Sequence, residues 1–223
     1  DVKVSKGWIN PILAFFNKNK KAAILQPHIM SHLNKNKFEY AGAAGGFIDK
    51  LGYPFCKGRI FNYLEENKNQ YDKNCQIFWA SGSCFFIKND LFRELNGFDE
   101  DFFAHQEEID LCWRAKIKGN EIWSIYNSKV YHLGGGTISY NSPQKTFLNH
   151  RNNILMLIKN LPNDMFFSIL FKRFILDFIT SLWHFFNFRP KHSFSIIKAY
   201  WDLIFLFKRF KNKRYNSNNY TKY

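Results

Sequence analysis

ASGSCFFIKNDLFRELNGFDEDFFAHQEEIDLCWR, residues 80–114, contains in order a turn of small residues, a capped apolar helix and three close carboxylates, Glu107, Glu108 and Asp110. Ile109, Cys112, Trp113 and Ile117 recur at helical spacing, Asp110 and Arg114 stand four apart as an ion pair, and Gly119 supplies a stop. A helix is therefore predicted over about residues 105–118. Acids in a first turn are favoured by the helix macrodipole at about 0.3–1 kcal/mol each, so taken alone these three signal no more than a helix start.

Their neighbours add information. Residues 76–80 and 84–88 read as short buried strands interrupted by Ser81-Gly82-Ser83, where small side chains let a ligand approach the backbone. Asn89 reads as an N-cap, Leu91, Phe92 and Leu95 as an apolar face, and Gly97 as a C-cap that opens the turn Gly97-Phe98-Asp99-Glu100. Downstream, residues 121–126 and 128–132 read as strands, the second ending at His132 just before Gly134, Gly135 and Gly136. A single histidine at a strand end is more often structural than a ligand. The glycine run is as readily a plain connection as a loop that covers a bound donor.

Together these residues carry a resemblance. Residues 81–139, SGSCFFIKNDLFRELNGFDEDFFAHQEEIDLCWRAKIKGNEIWSIYNSKVYHLGGGTIS, resemble the acceptor-side half of family 2 glycosyltransferases, inverting enzymes of the GT-A fold. Four features match in the family's order: the small-residue turn, the GFDE-x-FF segment, the acidic E-[DE]-x-D-L-x-x-R helix, and the strand ending in histidine before a glycine-rich loop. The likeness extends back through Asp1-Val2-Lys3-Val4-Ser5-Lys6-Gly7-Trp8, which is similar to the segment that follows the family's metal-binding acidic motif. It extends forward to Arg151-Asn152-Asn153 and so covers about residues 1–160. In the family a nucleotide-binding βαβ region precedes the acidic motif, so the chain is expected to be the acceptor-side piece of a longer enzyme.

The resemblance implies an α/β fold, a partial GT-A mixed sheet flanked by helices over residues 1–160, with amphipathic helices over 161–223. It implies transfer of a sugar from a nucleotide-diphosphate sugar to a saccharide or lipid-linked acceptor, with inversion, in bacterial cell-surface polysaccharide synthesis. Such a displacement passes through an oxocarbenium-like transition state and needs one general base on the acceptor hydroxyl. By the motif, Glu108 stands at the base position, usually Asp in the family, and Glu107 is the acid before it. The longer side chain matters, because a shift of about 1 Å at a reacting centre can cost 100-fold, and the base stays open between the two. Asp110 and Arg114 are expected to order the helix start, and Trp79, Gly82, Ser83 and Asp99 to line the acceptor. Asp1 matches a metal-ligand position and His132 the histidine that faces metal or diphosphate. A divalent cation there, manganese or magnesium, would neutralise the leaving diphosphate.

Residues 7–75 carry softer signals. Residues 8–16 read as a short helix with Pro11 near its first turn, and 22–29 as a buried strand interrupted by Pro27. Residues 39–55 are glycine-rich but match neither a P-loop nor a dinucleotide fingerprint; they resemble an insertion found in some bacterial family 2 enzymes. Lys57 and Arg59 could meet phosphate there, yet read more simply as solvated charges. Cys56, Cys75, Cys84 and Cys112 lack CxxC spacing, which points to reduced cytosolic thiols rather than disulfides or zinc.

The chain carries a formal net charge of +14, and residues 165–223 hold 11 Lys or Arg, 2 Asp and 12 of the 26 Phe. Such a basic aromatic tail suits an anionic surface. On a helical wheel of residues 166–186, Arg173, Asp177, Thr180, Ser181 and His184 form one polar stripe and nearly everything else is apolar. Lys172, Arg173 and Asp177 interrupt any run long enough to span a bilayer, so an interfacial helix is predicted. A second amphipathic segment over about 194–210 ends in the basic cluster KRFKNKR at 208–214, suited to anionic headgroups. The expected setting is cytoplasmic and peripheral, at the inner face of the plasma membrane. The alternatives are helices packed on a catalytic core, or a non-catalytic basic module on a membrane or nucleic acid. No nucleic-acid partner is expected, because the basic excess lies on helices with broad apolar faces and no RNA-binding or helix-turn-helix signature is present.

Overall fold

The computed structural model describes residues 2–134 and 141–214, which form two compact units. Of these residues, 2–49, 54–98 and 111–134 make the first unit and 50–53, 99–110 and 141–214 the second.

In chain order the first unit contains β1 (Val2–Val4), α1 (Asn10–Lys18), β2 (Ala22–Ser31), the pair β3 (Gly46–Ile48) and β4 (Pro54–Cys56), and the pair β5 (Arg59–Ile60) and β6 (Tyr63–Leu64). It continues through β7 (Cys75–Gln76), β8 (Phe86–Ile87), α2 (Asn89–Glu94), α3 (Glu107–Ile117) and β9 (Glu121–His132), the first turn of α3 belonging to the second unit. The main sheet runs β1-β9-β2-β8, with β7 also on β9; β2 and β9 are parallel and the other pairs antiparallel. The expected α/β class with a mixed sheet is therefore found. β2 is buried at every residue but its last, as a strand covered on both faces is. Helix α1 supplies Ile12 to a core with Ala22, Leu25 and Ile125, and Phe15 packs 5.1 Å from the Trp123 ring. Burying such an aliphatic side chain contributes about 1.5–3 kcal/mol.

Three expectations change here. β2 continues through Pro27 to Ser31, and the two strands anticipated within 121–132 are one. Pairing jumps from Pro27 opposite Ile125 to His28 opposite Lys129, so Tyr126, Asn127 and Ser128 are passed over. Proline brings no N–H to a ladder, and a bulge in the partner strand accommodates it. Ser128 Oγ then donates to Trp8 O at 2.7 Å. The strands anticipated at 76–80 and 84–88 shrink to β7 and β8, with a single bridge between Gly46 and Trp79.

The second unit consists of a 3-10 turn (Glu100–Phe102), the first turn of α3, and helices α4 (Pro143–Asn160), α5 (Asn163–Phe186) and α6 (Pro190–Asn212). Ser142 caps α4 by accepting from Lys145 N at 3.1 Å, with Pro143 in the first turn. Helix α6 packs on both α4 and α5.

The polar stripe of α5 faces inward and its aromatic side outward, the reverse of a helix that packs on a core with its polar side in water. Arg173 and Asp177 are each 1% exposed, whereas Phe167, Phe171 and Phe186 are 79%, 65% and 73% exposed. Arg173 donates to Leu51 O at 3.2 Å and to Asn153 Oδ1, lies 3.6 Å from the Tyr53 ring centroid and reaches Asp177 at 3.6 Å. Asp177 accepts from Tyr200 Oη at 2.8 Å and meets His150 Nδ1 at 3.2 Å. A buried ion without such partners would cost several kcal/mol. Part of the basic run at 208–214, expected to face lipid, pairs within the unit, although Arg209 stays exposed. Arg209 and Lys213 pair with Asp101 at 2.8 and 2.6 Å, and Arg214 donates to Ile158 O and Leu161 O at 2.6 and 2.7 Å. Lys208 and Lys211 remain exposed. Among the described residues no helix is long and apolar enough to cross a membrane.

Candidate functional site

The approach to the acid helix is strained. Phe103, His105 and Gln106 adopt φ of 63°, 70° and 71°, a region that costs a non-glycine residue about 1–3 kcal/mol. Two asparagines of α4 hold them there. Asn152 Nδ2 donates to the carbonyls of Phe102, Ala104 and His105 at 2.9, 2.7 and 2.8 Å. Asn153 Nδ2 donates to Gln106 Oε1 at 2.9 Å, and Gln106 Nε2 donates to Asn149 O at 3.0 Å. Helix α3 starts at the next residue, so this clamp fixes where Glu107 and Glu108 emerge.

The acids then separate by environment. Burial raises the Glu107 carboxyl above the ordinary glutamate value, against an opposing backbone hydrogen bond. Its Oε2 has no hydrogen-bond partner among the described residues. A carboxylate so raised is a stronger base towards a hydroxyl proton. Glu108 adjoins it in the same turn. Asp110 is fully buried and accepts from Lys159 Nζ at 2.9 Å and Asn160 Nδ2 at 2.7 Å. Lys159 also donates to Asp99 Oδ2 at 2.8 Å, and Lys213 donates to Asp99 Oδ1 at 2.7 Å. Burial alone would lift the Asp99 carboxyl, but the two ammonium groups outweigh it and draw it down to about 2. Asp99, expected to line the acceptor, thus has both oxygens engaged within this unit, and Oδ1 also accepts from Asp101 N at 3.2 Å.

In the first unit a single polar residue of β2 organises the small-residue turn. Gln26 Oε1 accepts from Ser81 N at 2.7 Å, and its Nε2 donates to Gly42 O and Ala43 O at 3.1 and 3.3 Å. The glycine-rich segment is thereby pressed against the turn: a Cβ on Gly42 would lie 2.3 Å from Ser81 Cβ, and one on Gly46 would lie 2.2 Å from the Trp79 ring. Trp79 is nearly enclosed, with Nε1 donating to Phe47 O at 2.7 Å. Ser81 Oγ and Ser83 Oγ share a 2.8 Å hydrogen bond, and Gly82 is exposed at the tip. Arg114 Nη1 and Nη2 donate to Leu95 O and Gly97 O at 2.5 and 2.8 Å, fastening the end of α2 where Asn96 and Gly97 take left-handed φ.

His132 ends β9 opposite Val2, with Nδ1 3.6 Å from Glu39 Oε2, which itself accepts from Ala41 N at 2.5 Å. Lys57 and Arg59, read as solvated charges, stack on rings instead: Lys57 Nζ lies 5.3 Å from the Phe47 centroid, and the Arg59 guanidinium 3.9 Å from that of Tyr40. Among the described residues no group of three or more His, Cys, Asp or Glu is assembled to hold a metal ion. Asp1, expected as a ligand, and Gly135 and Gly136 of the glycine run lie outside the described residues.

Trp79, Gly82, Ser83, Arg114 and His132 therefore belong to the first unit, and Asp99, Glu107, Glu108 and Asp110 to the second. Sequence reasoning missed Gln26, Asn152, Asn153 and Lys159 as organisers. A glutamine directly after the apolar run Ala22-Ala23-Ile24-Leu25 was a usable signal for the first. The second unit also carries an open groove of about 530 Å³, lined by Phe103, Phe147, Arg151 and Lys198 among others.

No family model matches the chain. It is 36% identical over 59 residues, 25% of its length, to the N-acetylglucosaminyl-diphospho-decaprenol L-rhamnosyltransferase of Mycobacterium tuberculosis, covering 18% of that protein. It is 37% identical over 43 residues, 19% of its length, to rhamnosyltransferase WbbL of Escherichia coli, covering 16% of that protein. These matches span less than a fifth of either curated relative. A crystal structure of GalNAc-T7 with UDP, GalNAc and Mn2+ is similar over 70% of this chain and 29% of its own, with a TM-score of 0.46 and 17% identity.

Proposed function

We propose that this chain carries the acceptor-side chemistry of a GT-A, family 2 glycosyltransferase. Its donor is a nucleotide-diphosphate sugar and its acceptor a saccharide or lipid-linked saccharide at the cytoplasmic face of the plasma membrane, in cell-surface polysaccharide synthesis. The observation that carries the reading is the pair of carboxylates at the start of α3, delivered by a strained loop that α4 clamps in place. Strain held by surrounding hydrogen bonds marks positions where geometry serves chemistry. The names of the two bacterial relatives, both rhamnosyltransferases, support the same class.

In this reading one glutamate takes the proton from the acceptor hydroxyl as its oxygen bonds to the anomeric carbon and the nucleoside diphosphate leaves, with inversion. Glu108 holds the motif's base position, whereas Glu107 is favoured by its own raised carboxyl. Asp110 holds the start of α3 through Lys159 and Asn160, and within the first unit Arg114 fastens the end of α2. Gly82 and Ser83 are the residues of the first unit assigned to the acceptor, Trp79 being nearly enclosed. A divalent ion, if held at His132, would stabilise the leaving diphosphate. His132 and Glu39 alone fall short of the six or so oxygens a hard ion prefers, so the roles above rest on the carboxylates.

The test is transfer from labelled nucleotide sugars to a polyprenyl-diphosphate-linked saccharide and to a water-soluble saccharide, using the protein that carries this chain. Replacing the base, by Glu108→Gln or Glu107→Gln, should lower kcat at least about 1,000-fold with donor affinity retained. The other substitution should have a much smaller effect. Full turnover in both variants would sink the base assignment, and no transfer by the parent with any donor would sink the class.

A further inference from the structure

Helices α5 and α6 turn their apolar sides outward. Phe167, Phe171 and Phe178 of α5 and Ile197, Trp201 and Phe205 of α6 are all more than half exposed, while Arg173, Asp177 and Ser181 are buried. A helix facing water does the reverse, and exposed apolar patches beyond a few hundred Å² mark a partner. The charges beside this face indicate which partner. Lys172, Lys191, Lys198, Lys208 and Lys211 are exposed on these two helices. Against them stand Asp164 in the first turn of α5, the buried Asp177, and Asp202, which meets Arg151 at 3.8 Å.

A second copy would bring another basic rim and another +14 to the same contact. An anionic surface with an apolar interior meets both demands. We infer that the outward face of α5 and α6 is embedded in the interfacial layer of an anionic phospholipid bilayer, with the rings among the upper acyl chains and the lysines at the phosphates. The 24 residues of α5 span about 36 Å lying along the surface, and no described helix is suited to crossing it. The inward stripe of α5 anchors the hairpin to α4, leaving its apolar side to lipid. This deepens the membrane setting of the proposed function and is independent of sugar transfer.

Trp183 and Trp201 lie on this face at 54% and 63% exposure, whereas Trp79 and Trp113 are buried, so tryptophan fluorescence can report insertion. The full chain is mixed with phosphatidylglycerol-containing vesicles whose acyl chains carry bromine near the headgroup. Quenching is expected, and Trp183→Phe with Trp201→Phe should remove most of it. Combining Phe167→Ser, Phe171→Ser and Phe178→Ser should weaken vesicle binding at least about tenfold, with the protein still folding cooperatively because those rings are more than half exposed. Binding that salt abolishes and that never quenches tryptophan would reduce the contact to surface charge and overturn insertion. A lipid-free dimer that the serine variant dissolves would assign the face to a second copy instead. Transfer to a water-soluble acceptor is measured alongside. A serine variant that keeps that transfer while losing vesicles supports insertion, and a parent that binds vesicles without transfer refutes only the enzymatic reading.

Discussion

Lys159→Met removes the ammonium that joins Asp99 and Asp110 at 2.8 and 2.9 Å while keeping an unbranched side chain of similar reach. Asp110 retains the Asn160 amide at 2.7 Å, and Asp99 retains Lys213 at 2.7 Å, so neither carboxylate loses every partner. Lys159 is 5% exposed and Asp110 is fully buried, which places their contact among pairs whose breaking costs about 3–5 kcal/mol. At about 2–4 °C per kcal/mol for a chain of this size, the melting midpoint at neutral pH should fall by about 6–20 °C. The pH dependence gives a second constraint. Asp99 is held at about 2 when folded, against an ordinary 3.8, so its stabilisation is complete above about pH 4 and is lost as pH falls towards 2. The variant has less of this term to lose, so its deficit should narrow across that window. Circular dichroism melts at several pH values measure both quantities. A neutral-pH midpoint within about 2 °C of the parent, or a deficit that widens in acid, would refute this account of the cluster.

Two further predictions concern the first unit. Burial, reinforced by Lys129 and Lys57, holds the His28 imidazole at about 4 rather than 6.5. Between those values the unfolded chain binds a proton that the folded one refuses, so stability should fall by up to about 3 kcal/mol as pH drops. His28→Met should flatten that slope in urea titrations, and identical slopes would remove His28 as the cause. Gly42→Ala should destabilise by at least about 2 kcal/mol, because φ is +91° and the new methyl would lie 2.3 Å from Ser81 Cβ. A melt like that of the parent would mean that the Ser81 turn is not packed as described.

Local signals were legible where they were redundant. The bounds of α3 and α1 were legible to within two residues from apolar spacing, Gly119 and Pro11, whereas Asn89, expected to cap α2, is its first residue and Lys88 precedes it with no side-chain cap. β9 was split because the polar Tyr126-Asn127-Ser128 stretch reads like a turn, and only pairing with Pro27 reveals a bulge. The loop and acid groups that Asn152, Asn153 and Lys159 hold lie 47 to 60 residues away, so no spacing rule reaches them. The stripe on α5 was visible on a helical wheel, but a wheel carries no information about which side meets solvent. Here Tyr53, Asn153 and Tyr200, distant in sequence, decide it. Among the candidate site residues, the acids and the small-residue turn were marked by composition, whereas the strained backbone that delivers the acids sits at ordinary-looking residues.

The outward aromatic rings also change what heat capacity should report. A chain of 223 residues ordinarily gives about 3 kcal/mol/K on unfolding, because apolar groups hidden in the native state become hydrated. Phe167, Phe171, Trp201 and Phe205 are already hydrated in the native molecule, so unfolding in lipid-free buffer adds less new hydration and the increment should be smaller. The missing portion should return with negative sign when the folded protein is titrated into anionic vesicles, since that is when those rings leave water.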